Sequence, residues 1–162
     1  EKRFFEGFWS SLCDELRIDQ IKRERLLAFD HYRYIKAYPD AAPTLAQVKA
    51  AGLRIGVLSH FSLASLDTSL ERVGLGQWID VAAAAPVIGA AKPAPEAYRF
   101  ALEALQVTPD DCCFFDDEDA NVAGARCLGI HSFLVNRARQ DHDFAAKVIA
   151  DLTAVWAALQ LS

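Results

Sequence analysis

The 162-residue chain contains no methionine. It has no apolar run of the about 18 residues that a membrane-spanning helix requires. The longest small-apolar stretch, VAAAAPVIGAA at 81–91, is broken by Pro86 and Gly89. No run of basic residues occurs, and 17 Lys+Arg against 22 Asp+Glu leave a formal charge of −5, a poor match for nucleic acid. The amino-terminal EKRFFEGFW lacks a basic segment followed by an apolar one, so no secretory signal is expected. Four cysteines, Cys13, Cys112, Cys113 and Cys127, form no CxxC pair and no Cys/His ligand spacing. A structural zinc site is therefore not expected; four buried thiols in a reducing cytoplasm are. The chain has no GxGxxG, GxxxxGKS or GxSxG segment, which excludes dinucleotide, P-loop and serine-hydrolase readings.

What is present is an ordinary globular composition, 52% hydrophobic and 24% charged, at a length for one domain or one domain with an appendage. Phe4, Phe5, Phe8, Trp9, Leu12, Cys13 and Leu16 recur at helical spacing and predict an amphipathic helix over 2–16. A second helix is expected over 19–36, with Asp19 as N-cap. After Pro39 the pattern changes. Helices are expected at 41–51, 62–74, 93–105 and 119–129, and a terminal helix over 143–159. Apolar runs at 53–59, 80–84, 111–117 and 130–135 predict strands between them. Four alternations of strand and helix predict an α/β fold: a Rossmann-like parallel sheet of at least four strands, with helices on both faces. Cys112 and Cys113, neighbours on one strand, should face opposite sides of it. Trp9, Trp78 and Trp156 are expected to be packing residues, and Arg126 and Arg137 surface charges.

Ligands of open parallel sheets bind beyond the carboxyl ends of the strands. There the sequence places Ser59-His60, the acids from Asp116 to Asp119, and Lys92 just before a helix start. A lysine near a helix N-terminus suits an anion, and neighbouring carboxylates suit a hard divalent cation such as Mg²⁺. The bland alternative for the acids is a solvated loop or a helix N-cap.

The segments GLRIGVLSHFS, AAKPAPEAYRFALEAL and CCFFDDEDANVAGARCLGI resemble, in order and spacing, the second, third and fourth motifs of the haloacid dehalogenase-like hydrolase superfamily. The two leading helices are similar to the latter part of the helical cap in one large branch of it. The resemblance implies a partial cap over 1–37 and a core over 38–162 without its first strand. It implies that Ser59 bonds a transferring phosphoryl oxygen and that Lys92 neutralises its charge. His60 stands where the pattern usually has Asn and is a candidate substrate contact. Asp116 and Asp117 would hold Mg²⁺, and a small phosphate ester would be the substrate. The acidic pair favours the phosphatase-like branch over metal-free 2-haloacid dehalogenases. The resemblance implies that this chain begins inside the cap, so the family's nucleophilic DxD motif is not expected in it; Asp117-Glu118-Asp119 falls in the segment resembling the fourth motif. A non-catalytic binding or assembly module of the same fold is the alternative. The absent strand would lie between those at 53–58 and 112–116. These two strands should close up, or the place should be taken by an upstream segment or by a second copy in a homo-oligomer.

Overall fold

The computed structural model describes residues 2–28, 31–60 and 66–161. The side chains at 2–6, 8, 9, 27, 31 and 32 lie outside the described set. With them go Phe4, Phe5, Phe8 and Trp9 of the expected stripe, and the first turn of the helix expected at 62–74 is likewise outside. The chain divides into two units, residues 1–36 and 37–162.

The first unit is a helical hairpin of α1 (Lys2–Glu15) and α2 (Gln20–Leu27). Asp19 caps α2 by accepting the Lys22 N–H at 3.0 Å. Arg23 of α2 reaches back to Asp14 and Ser10 of α1, and Cys13 is buried. The second helix is shorter than expected: residues 31–34 form a separate 3₁₀ turn.

The second unit alternates strand and helix. Its elements are α3 (Ala41–Ala50), β1 (Gly56–Ser59), α4 (Asp67–Arg72), β2 (Val81–Ala84), α5 (Ala85–Ile88), α6 (Pro95–Leu105), β3 (Cys113–Asp116), α7 (Asp119–Arg126), β4 (His131–Val135), β5 (Val148–Ile149) and α8 (Val155–Leu159). Gly52 stops α3 at a φ of +79°, and the N–H groups of Gly52 and Leu53 return to the Lys49 and Val48 carbonyls. Asp80 shortens the strand expected from residue 53. Its carboxylate takes the Ile55 N–H at 2.7 Å and Lys49 Nζ at 2.8 Å, so ladder pairing starts at Gly56.

Alternation along β3 builds two cores. Cys112 and Phe114 pack with Tyr98, Leu102, Ala125 and Leu58 beneath α6 and α7. Cys113 and Phe115 pack with Val48, Phe133, Ile149 and Val155 beneath α3 and α8. The two adjacent cysteines thus face opposite sides. All four thiols are free, but only Cys13 among them is buried as expected: Cys112 and Cys113 are half-buried, and Cys127, just past the end of α7, is exposed. Trp78 and Trp156 are half-buried.

The α/β class and the parallel pairing are as expected, but the sheet is in two pieces. Among the described residues, β1 pairs with β2 alone, and β3-β4-β5 form a separate triplet, all in parallel. Closure of β1 onto β3 does not occur. Both pieces nevertheless feed the same cores, through Leu58 and Phe114 on one face and Ile55 and Phe115 on the other.

The expected terminal helix is also corrected. Asp143 and Val148 exchange two backbone hydrogen bonds, and the Asp143 carboxylate accepts the Ala146 N–H. This tight turn passes through Lys147 at φ +55° and delivers Val148 and Ile149 into β5; only Val155–Leu159 is α-helical. Strand pairing with β4 overrides the local Ala/Lys helix preference. Among the described residues, no helix is long and apolar enough to cross a membrane.

Candidate active site

The carboxyl ends of β1 and β3 carry the polar residues singled out by sequence. Asp116 is the last residue of β3, on the face of Phe114 by alternation. Lys92 comes from the loop after α5, a short helical turn with Pro86 as its second residue and closed by Gly89 at φ +76°. Its ammonium lies 5.7 Å from the centre of the Phe114 ring and 2.5 Å from Asp116 Oδ2. Both side chains are buried, at 9% and 6% exposure, so water screens this pair little.

The loop can come this close because Gly124 of α7 has no side chain. A Cβ there would stand 2.8 Å from Pro93 Cβ and 2.9 Å from the Pro93 carbonyl oxygen. Asp116 Oδ1 accepts the Glu118 N–H at 3.0 Å and Asn121 Nδ2 at 2.9 Å. Burial pushes the Asp116 carboxyl up, but the bonds from Lys92, Asn121 and Glu118 outweigh it and hold the group below its ordinary range.

Asn121, 1% exposed, was missed by the sequence reasoning. The signal was available: an amide in the first turn of α7, beside Val122 and Ala125 on an otherwise buried face. Tyr98 closes the floor. Its hydroxyl donates to the Asn121 carbonyl at 2.8 Å and its ring meets Phe114 edge-on at 5.5 Å. Burial, assisted by the Asp116 charge, pushes its phenol up to about 12.

Asp117 is exposed and lines a cavity of about 580 Å³ together with Asp116, Asp119, Asn136, Arg137 and Tyr38. Arg137 is more than a surface charge. It pairs with Asp40 at 3.0 Å and lies 3.8 Å from the centre of the Tyr38 ring, while Asp40 also accepts the Leu152 N–H at 2.7 Å. Arg126 donates to the Ser132 carbonyl at 2.9 Å and ties α7 to β4. Ser59 ends β1 in register with Ala84, and the next residue, His60, bonds the Lys92 carbonyl oxygen through Nε2 at 2.8 Å. The structure therefore joins Lys92, Asp116 and His60 by direct contacts and sets Asp117 beside Asp116. Lys92 and Ser59 do not line the cavity.

The donor set fits a hard cation in part. Among the described residues no group of three or more His, Cys, Asp or Glu is arranged to hold a metal. Asp116 spends three of its four carboxylate lone pairs on protein donors, and Asp117 stands next to it. One or two carboxylates, completed by water and phosphate oxygens, are what Mg²⁺ takes. Asn121 Oδ1 is a further buried oxygen with no hydrogen-bond partner.

A profile of the haloacid dehalogenase-like hydrolases matches residues 2–129. The chain is 39% identical over 149 residues to phosphatase MT3486 of Mycobacterium tuberculosis (strain CDC 1551 / Oshkosh), covering 91% of this chain and 69% of that protein. It is 32% identical over 123 residues to (S)-2-haloacid dehalogenase 1 of Pseudomonas sp. (strain CBS-3), covering 76% of this chain and 53% of the other. A crystal structure of a phosphatase of the same superfamily from Thermococcus onnurineus shares the fold at a TM-score of 0.69 and 22% identity, over 96% of this chain and 88% of that one. By its profile match and its sequence relatives, the chain belongs to the haloacid dehalogenase-like hydrolases.

Proposed function

We propose that the site serves Mg²⁺-dependent hydrolysis of a small phosphate ester. The observation that carries this reading is the buried Lys92–Asp116 pair at the carboxyl end of the parallel strands, with Asp117 beside it. A dehalogenating site of the metal-free kind has no use for the two adjacent acids, and the 39% identity to a phosphatase supports the same choice. In this reading Lys92 sets a positive charge against the transferring phosphoryl group and keeps Asp116 ionised. The Ser59 hydroxyl donates to a phosphoryl oxygen. Asn121 and the Glu118 N–H hold the Asp116 carboxylate at one orientation, so that little reorganisation accompanies the reaction. Asp116 and Asp117 would hold Mg²⁺, which supplies charge neutralisation to the phosphoryl oxygens when bound.

The nucleophile comes from outside these residues. Among the described residues, β1 and β3 each have one edge with no strand paired to it, and both strands pack against the same cores. We place there a parallel strand from an upstream segment, ending in the aspartate pair of the family's first motif. The chain spans 69% of the phosphatase relative, so such a segment is within the length of that protein. The hairpin at 1–36 is then the latter part of the cap. The free thiols agree with a cytoplasmic setting.

The test is the chain extended by such a strand, assayed for inorganic phosphate from phosphate monoesters and for halide from 2-chloropropionate, with Mg²⁺ and with EDTA. Phosphate release that EDTA abolishes is expected. Halide release indifferent to EDTA would establish the dehalogenase reading, and neither product would favour a binding module.

A further inference from the structure

We propose that His60 is a positioning residue that fixes the Lys92 loop by donating its Nε2 hydrogen to the Lys92 carbonyl oxygen. The contact is 2.8 Å, and a carbonyl oxygen only accepts, so Nε2 carries the hydrogen. This inference rests on the reading of Lys92 as the phosphate-facing cation. The Lys92 ammonium is held from β3 by Asp116. Its following residue, Pro93, is seated against Gly124 of α7. The turn is closed by the Ala94 N–H on the Ala91 carbonyl at 2.9 Å. None of these three contacts ties the loop to β1. His60 does so from the residue after Ser59, so that one hydrogen bond sets the spacing between the serine and the lysine that must grip the same phosphoryl group.

His60 is exposed, and its removal need not disturb either core. A shorter amide such as Asn ends its donor near the imidazole Nδ1 position, whereas Gln reaches about as far as Nε2. His60→Gln is therefore the conservative variant, and His60→Phe keeps a ring without the donor.

The experiment is amide hydrogen exchange on the chain with His60, His60→Phe and His60→Gln, alongside a titration with inorganic phosphate in Mg²⁺. In His60→Phe the Ala94 amide should exchange about two- to tenfold faster, the population effect of one net hydrogen bond. The Leu134 amide, bonded to the Lys147 carbonyl at 3.0 Å, serves as the reference and should be unchanged. Phosphate affinity should fall by a similar factor, and Gln should restore both. Unchanged Ala94 exchange, equal acceleration at Leu134, or failure of Gln to restore the loop would each overturn the proposal. If Lys92→Gln leaves phosphate affinity untouched while His60→Phe still loosens Ala94, the latch stands and the reading of Lys92 falls.

Discussion

Replacing Lys92 by methionine keeps most of the side-chain volume and removes the only cation in contact with Asp116 among the interactions described. Both partners are buried, so the carboxylate is left in a poorly screened place. Breaking a buried pair from one side costs about 3–5 kcal/mol. Asp116 keeps its bonds from Asn121 and the Glu118 N–H, which puts the expected cost near the lower limit, about 3 kcal/mol. A domain of this size has about 5–15 kcal/mol in total. With a urea slope of about 1.5 kcal/mol/M, the unfolding midpoint should drop by about 2 M. Asp116→Asn should cost a similar amount by leaving the Lys92 charge unpaired. The double variant Lys92→Met/Asp116→Asn leaves no charge and should lose less than either single change predicts by addition. A midpoint for Lys92→Met within about 0.3 M of the parent would refute the pair as a buried, weakly screened contact.

Gly124→Ala should weaken the same pair from behind, because its new Cβ meets the Pro93 carbonyl oxygen; inorganic phosphate affinity and urea midpoint should both fall, by about 1–3 kcal/mol in stability. Asp80, held below its ordinary 3.8 by hydrogen bonds from Lys49 and the Ile55 N–H, contributes stability that is present above that value and is lost as pH falls through its lower folded value. Acid-unfolding curves of Asp80→Asn should therefore separate from the parent at neutral pH and converge as the pH falls below the ordinary 3.8 and through the lower folded value. Tyr98 should ionise near 12 in a 295 nm absorbance titration. Its raised folded value means that its contribution is full below the ordinary 10.0 and disappears as pH rises toward 12, a loss absent from Tyr98→Phe.

The strand–helix alternation was legible because its signals are local. The CCFF run reports two buried faces, Gly52 a helix stop and Asp19 a helix start. The motif residues Lys92 and Asp116 were legible because chemistry at strand ends is sparse and both lie in segments of distinctive composition. What sequence did not reveal depends on partners far along the chain. Arg137 gains its role from Asp40 and Tyr38, 97 and 99 residues away. β5 hides in an alanine-rich stretch because β4, by offering a ladder, makes Val148 and Ile149 a strand. The division of the sheet could be posed from the resemblance but not decided, since each strand reads the same whether or not its outer edge is paired.

The central claim is that these residues make a phosphoryl-transfer site waiting on an aspartate delivered between β1 and β3. Its most direct measurement compares Mg²⁺-dependent phosphate release by the 162-residue chain alone, by the chain with a tethered upstream strand ending in Asp-x-Asp, and by the same strand ending in Asn-x-Asn. Turnover is expected only in the second. Equal turnover by the chain alone, or undiminished turnover with the asparagine strand, would contradict it.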